Sequence, residues 1–282
     1  MKLGFAPKIF AALCCLLTGC ASQRGPVGTA DARAAAAALD QILASPHRSA
    51  GNRARDASLH PKETLIFFGM RPQMSVVEVW PAAGWYTEIL APLLHDRGEL
   101  RVALMDATAG EYARTVTDSF RGKLAAKPDV FGNVQVTTLA APPSKAAIAP
   151  ANSADMVVTF FNLHTWMMFG WQREAVAAMY AALKPGGVLG IVEHRGDPQV
   201  PQDPKASSGY VNESYAIELI RSVGFELVGQ SQINANPRDT KDYEKGVWAL
   251  PPDFAAGADG HSRYSAIGES DRFTLKFRKP PQ

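Results

Sequence analysis

Val76-Val77-Glu78-Val79-Trp80-Pro81-Ala82-Ala83-Gly84-Trp85-Tyr86-Thr87-Glu88 reads as a hydrophobic strand with an acid inside it, a turn of small residues, and the start of a helix. Apolar residues continue at helical spacing from Tyr86 to Leu94 and stop at Asp96-Arg97-Gly98, a turn signal. A tight strand-to-helix turn brings backbone close to whatever binds there, so this corner marks the expected ligand site. A glycine-rich turn of that kind would carry glycines where Trp80 and Ala82 stand, and only Gly84 does.

The same alternation runs outward from this corner. Strands are expected at Val76 to Trp80, Leu100 to Met105, Val134 to Leu139, Met156 to Phe161, Val188 to Val192, Phe225 to Gln230 and Arg272 to Arg278. Helices fall between them at Tyr86 to Leu94, Gly110 to Leu124, Trp171 to Leu183 and Asn212 to Arg221. Strands that alternate with helices make a mostly parallel sheet covered on both faces, an α/β Rossmann-like architecture. The last strand alternates Phe273, Leu275 and Phe277 with Thr274, Lys276 and Arg278, so it is expected to close the sheet with one face exposed. Residues 234 to 270 are rich in Pro, Gly, Asp and Ser and read as a lid or insertion, too long for an ordinary connection.

Before this domain, which is expected over residues 56–282, lie two other segments. Residues 1–20 begin with Lys2 and Lys8, contain the apolar run Ile9 to Leu17, and end Leu17-Thr18-Gly19-Cys20. The run is too short to span a bilayer. Its ending resembles a bacterial lipobox, which implies cleavage before Cys20, lipidation of that cysteine, and a place in the cell envelope; the other readings are an ordinary cleaved signal peptide or an uncleaved anchor. Ala21 after Cys20 fits an outer-membrane anchor facing the periplasm. Residues 21–55 form a tether and an Ala-rich helix from Asp31 to Leu43, followed by a charged segment, 45 to 61, expected to be irregular. Cys14 and Cys15 leave with the signal and Cys20 carries the lipid, so the mature domain has no thiol for a nucleophile, a disulfide or a metal.

The chain of 282 residues carries a formal net charge of +2, with no basic run interleaved with aromatics, which argues against a nucleic-acid surface and for a small-molecule ligand or a protein partner. The open end of such a sheet gathers Asn162, His164 and Trp166 after the fourth strand and Glu193, His194 and Arg195 after the fifth. His164 and His194 are candidate bases because imidazole titrates near neutrality. Equally, each can be a hydrogen-bonded structural residue, and Glu193 and Arg195 can pair with each other or with charges of the N-terminal segment. No linear spacing of His, Cys, Asp or Glu matches a metal motif, so no metal is expected.

The order of elements, with Glu78 to Glu88, an acid ending the second strand, Leu183-Lys184-Pro185-Gly186-Gly187 before the fifth strand and a final strand pair, resembles the class I S-adenosylmethionine-dependent methyltransferases. Asn162-Leu163-His164 and Asp271-Arg272-Phe273 further resemble a bacterial group of exported methyltransferase-like proteins. The resemblance spans about residues 55 to 280. It implies a seven-stranded, mostly parallel sheet with an antiparallel last strand, and S-adenosylmethionine as cofactor. Carried over residue by residue, it implies that Glu78 helps hold the amino-acid end of the cofactor, and that the turn with Trp80, Pro81, Ala82, Gly84 and Tyr86 approaches its methionine portion. Asp106 at the tip of the second strand would accept from both ribose hydroxyls, with Asn162 beside the reacting centre. Leu139-Ala140-Ala141 stands where many members have an acid for the adenine amino group. The activity implied is in-line methyl transfer to an unnamed acceptor. The alternative is a catalytically inactive lipoprotein of the same fold that binds another small ligand or an envelope partner.

Overall fold

A computed structural model of the chain describes Met1 and residues 29–144 and 147–281. The lipidation residue Cys20 and the signal segment lie outside the described residues. Among the described residues, no helix is long and apolar enough to cross a membrane.

Among the described residues, seven strands form one sheet: β1 (Ser75–Val79), β2 (Glu99–Met105), β3 (Gln135–Leu139), β4 (Ala154–Phe160), β5 (Leu183–His194), β6 (Glu226–Ser231) and β7 (Arg272–Arg278). Their spatial order is β3-β2-β1-β4-β5-β7-β6, and β7 alone runs against its neighbours. Chain order reverses between β1 and β4, the switch point where open α/β sheets hold ligands. The mixed sheet expected from the sequence is present.

Among the described residues, eleven helices pack around it. α1 (Thr29–Ala44), α2 (Ala50–Ala54), α3 (Asp56–Leu59) and α4 (Pro61–Phe68) precede the sheet. α5 (Thr87–Leu94), α6 (Glu111–Ala126) and α7 (Pro128–Phe131) lie between β1 and β3. α8 (Leu163–Phe169), α9 (Gln172–Ala182), α10 (Glu213–Ser222) and α11 (His261–Ile267) follow β4, β4, β5 and β6 respectively. The alternating side chains of each central strand divide between two cores. Val77, Val79, Ala103, Val157 and Ile191 meet α8, α9 and α10 through Trp166, Val176 and Ile220. Val76, Val102, Leu104, Met156 and Val158 meet α4, α5 and α6 through Phe68, Ile89 and Phe120. Gly190 lets α4 approach the sheet, since a Cβ there would stand 2.5 Å from the Phe68 ring.

Three elements depart from the sequence reading. Residues 45 to 61 are largely helical, in short pieces fixed by tertiary pairs such as Arg48 to Asp56 at 2.6 Å. The aromatic stretch after β4 is itself a helix, α8, ended by Gly170 in the left-handed region. β7 is an interior strand, not the sheet's edge: β6 pairs outside it, and Lys276 on its expected solvent face donates to Phe67 O of α4 at 3.2 Å.

Segment 234–270 is folded down by buried polar contacts. Asn234 Nδ2 donates to Thr64 and Thr274, each at 2.9 Å, and the buried Asp239 carboxylate accepts from Tyr210 Oη at 3.0 Å and from Asp271 N at 2.8 Å. Glu269 binds Arg55 at 2.7 Å and also Arg272, whose other nitrogen donates to Ser58 O at 2.9 Å. The segment is thereby tied to the N-terminal helices and to the end of β7.

Candidate functional site

The turn after β1 has the backbone shape that glycines would give it, with other residues in their place. Trp80, Ala82 and Gly84 have φ values of 49°, 50° and 75°, three left-handed residues at alternating positions. Only Gly84 adopts this freely; for Trp80 and Ala82 it costs of the order of 1–2 kcal/mol each. Gly84 is also required sterically, since a Cβ there would come 2.8 Å from the Phe120 ring. What fixes the turn is hydrogen bonding from outside it. Lys123 of α6 donates to Ala83 O at 2.7 Å and Gly84 O at 3.1 Å, and pairs with Glu88 at 2.7 Å.

Asn162, at the end of β4, braces the turn from the other side. Its buried Nδ2 lies 3.0 Å from Val79 O, 3.1 Å from Trp80 O and 3.0 Å from Thr159 Oγ1. Asn162→Ala should leave two buried carbonyls unpaired and lower the unfolding free energy by about 2 kcal/mol in urea denaturation. The Trp80 indole is buried, donates to Leu139 O at 3.2 Å, and packs edge-on against Trp166 and Trp171 with ring centroids 5.7 and 5.4 Å away.

This indole is a wall of a cleft of about 640 Å³ at the C-terminal ends of the strands, bounded also by Asp106, Tyr112, Leu139, Phe169 and Trp171. The ring lines open space beside Asp106 and does not fill it. The volume lies within the usual range for small-molecule sites, roughly 300–1,000 Å³, and the walls are mostly apolar, as such sites are. Among the described residues, its charged lining residues, Asp106, Glu111 and Glu174, are all acidic, with no Lys, Arg or His beside them. The pocket therefore favours a ligand that carries positive charge.

Asp106 follows β2 at the lip. Its Oδ1 accepts from Thr108 N at 2.9 Å and from Thr108 Oγ1 at 2.7 Å, which leaves Oδ2 open to a ligand. The Thr108 hydroxyl and amide hold the Asp106 carboxyl below its ordinary range, so it is ionised at neutral pH.

Several expected ligand residues lie away from the cleft. Tyr86 is buried in the opposite core, stacked on Phe160 at 3.5 Å. Pro81 and Ala82 lie on the outer side of the turn. Glu78 is buried and accepts from Thr87 Oγ1 at 2.6 Å.

Desolvation raises the Glu78 carboxyl to about 7, against the opposing effects of the Thr87 hydrogen bond and the Lys123 charge. Because the folded value lies above the unfolded 4.5, the protonated acid stabilises the fold below about pH 4.5, and that contribution is lost as pH rises through about 7. The loss is about 3 kcal/mol. Glu78→Gln removes the charge and keeps an acceptor for Thr87. It should match the wild type in urea midpoint at about pH 4.5 and exceed it above pH 7.

A second cluster lies at the ends of β4 and β5. Parallel pairing of these strands, with Phe160 opposite Val192, brings Glu193 to the base of α8. The fully buried Glu193 accepts from His164 N at 3.2 Å and His194 N at 2.8 Å, and its Oε1 lies 3.0 Å from His164 Nδ1. Its partner is thus a histidine, neither Arg195 nor the N-terminal helices; Arg195 binds Glu213 and Asp271, each at 3.2 Å. His194 stacks on Phe161 at 5.0 Å and its Nδ1 is 2.6 Å from Ser270 Oγ. Burial, reinforced by His164, Arg272 and Arg55, pushes the His194 imidazole well below its ordinary range, so it is neutral. The Trp248 ring, from segment 234–270, meets His164 edge-on at 6.0 Å. Trp248, Tyr210 and Ser270 carry no signal in the sequence that would assign them here; segment 234–270 folding back brings in Trp248 and Ser270, and the connection from β5 to α10 brings in Tyr210.

No protein-family model matches this sequence, and no curated protein is significantly similar to it. Solved structures do match. An S-adenosylmethionine-dependent methyltransferase from Aquifex aeolicus is 14% identical, with 86% of this chain and 98% of that one covered at a TM-score of 0.53. The [4+2]-cyclase SpnF is 14% identical, with 85% and 86% covered at a TM-score of 0.56. The chain has the Rossmann-like fold of the class I methyltransferases, and at these identities the likeness is one of fold.

Proposed function

We propose that this protein is an S-adenosylmethionine-dependent methyltransferase acting on a small molecule. The observation that carries the reading is the cleft at the switch point, with an ionised carboxylate at its lip and only acidic charge among the described residues of its walls. A sulfonium nucleoside meets those requirements: it has ribose hydroxyls to donate to Asp106, a purine for an apolar slot, and positive charge for Glu111 and Glu174 to favour. Asp106 would hold the ribose and the Trp80 wall the flat or cationic part. The bound cofactor supplies an electrophilic methyl group.

The chain's own residues then orient the acceptor and take its proton. Glu193 fixes the His164 ring through Nδ1, which leaves the other ring nitrogen as the proton acceptor. Segment 234–270, through Trp248, closes this side of the site against water. Glu193 is a positioning residue in this scheme, and His194 a neutral neighbour held by Ser270.

A second reading is a ligand-binding protein that shares the fold without methyl transfer. Trp80 in a glycine's place and Leu139-Ala140-Ala141 at the end of β3 favour it, and the cyclase among the structural neighbours carries the same architecture. Calorimetry with S-adenosylmethionine on the full chain separates the two: binding is expected, and no heat at millimolar cofactor would remove the methyltransferase reading. For location, we propose a lipoprotein anchored through Cys20, expected to incorporate labelled palmitate in cells unless that residue is replaced by Ser.

A further inference from the structure

Glu193 is wholly buried, yet no Lys or Arg among the described residues reaches its carboxylate. Its partners are two backbone amides and one imidazole. A buried carboxylate without a formal cation beside it is costly, and some positive charge is expected to balance it. The nearby guanidiniums of Arg55 and Arg272 are already committed to Glu269.

The geometry around that charge is that of a ligand set. His164, Glu193 and His194 each present a donor atom, and these atoms all lie within 4.8 Å of one another. The two imidazole rings are 5.4 Å apart between centroids. Glu193 and His194 end β5, His164 stands in the first turn of α8 just after the neighbouring β4, and Phe161 and Trp248 pack against the two imidazoles. Ser270 Oγ, 2.6 Å from His194 Nδ1, orients that ring from outside, as outer partners of ligating histidines do.

We infer that His164, Glu193 and His194 form a seat for a first-row divalent transition cation, bound by two imidazoles and one carboxylate. Two nitrogens and one oxygen suit zinc, cobalt(II), iron(II) or manganese(II), whereas magnesium and calcium require more oxygen ligands than the cluster offers. Bond lengths near 2.0–2.2 Å set donor pairs roughly 3–4 Å apart, so the cluster needs to contract by on the order of 1 Å. The seat therefore requires that rotation of the three side chains supply that much. Binding exchanges the hydrogen bond between Glu193 and His164 for bonds to the cation. It also balances the buried charge and leaves coordination positions that the protein does not fill.

The consequence for chemistry rests on the proposed methyl transfer. A cation at this place would bind an acceptor oxygen and lower its pKa, a task otherwise left to His164. The seat itself does not depend on that reading, because it forms without the cofactor.

The test is a titration of the chelator-treated full chain with cobalt(II) and with zinc, in the absence of S-adenosylmethionine, followed by visible absorption and calorimetry. One cation per chain is expected, with cobalt bands of imidazole-carboxylate coordination. His194→Ala and Glu193→Gln should each weaken binding about tenfold or more, while His95→Ala, at an exposed histidine, should not change it. Circular dichroism checks that the variants fold, and the wild-type titration stands whether or not they do. Failure of the wild type to bind either ion, or binding by both folded variants that equals the wild type, overturns the inference. Cation binding without cofactor binding would uphold the seat and remove the methyltransferase reading; the reverse result would do the opposite.

Discussion

Asp106→Ala should abolish measurable binding of S-adenosylmethionine while the fold persists. The residue stands on the lip of the cleft, outside both hydrophobic cores, and its intramolecular partner is Thr108 alone among the described residues. Losing that local cap costs the protein about 1 kcal/mol. On the proposed reading, losing the acceptor for two ribose hydroxyls is a larger matter, since hydrogen bonds to a charged group contribute about 1.5–3 kcal/mol each. Together they correspond to a hundredfold or greater loss of affinity, about 3 kcal/mol or more. Asp106→Asn is the sharper control: it keeps the shape and one acceptor but removes the charge, and should bind between the two. Calorimetry with thermal denaturation on the same samples reads both quantities. An Ala variant that binds like the wild type would show that the ribose does not lie at this lip, and the cleft would need another occupant.

Asp106 also shows what the sequence can disclose. An acid at the end of the second of two alternating segments is a local pattern, and local spacing carries it to the right end of the sheet. The strand positions are legible for the same reason: Val76, Val77 and Val79 in β1, like Val157, Val158 and Thr159 in β4, belong to short, β-branched runs bounded by turns. The pairing of Glu193 with His164 is not legible, because it depends on β4 and β5 lying side by side, with the two residues 29 positions apart in the chain. Helix α8 is hidden by its composition. Leu163-His164-Thr165-Trp166-Met167-Met168-Phe169 is apolar almost all round and shows no period, although only part of it is buried. The helices between residues 50 and 68 are too short for periodicity to register, and contacts such as Arg48 with Asp56 and Arg55 with Glu269 hold them. Glu78 is legible as an acid in a strand, but which of the two cores it faces follows from β-strand alternation combined with Thr87 on α5.

Trp80 brings fold and function to one residue, and two substitutions there separate its roles. Trp80→Ala removes an indole that is 8% exposed, with its bond to Leu139 O and its contacts with Trp166 and Trp171, so it should cost about 3–5 kcal/mol in urea unfolding. Trp80→Gly removes the same side chain but accepts φ of 49° without strain, so it should be the more stable of the two by about 1 kcal/mol. The difference between the variants measures the backbone strain, and the loss they share measures the indole. Cofactor affinity then tells what the indole does in the cleft. If it is a wall on which a flat or cationic group rests, both variants should bind at least about tenfold more weakly, the usual scale for an aromatic platform. Tighter binding by Trp80→Gly would mean that the ring obstructs the cofactor and that the wild-type cleft serves a different ligand. The open space beside Asp106 and the tie from the indole to Leu139 favour the first outcome: the ring is held back against the strand ends by its own hydrogen bond, which leaves the cleft free.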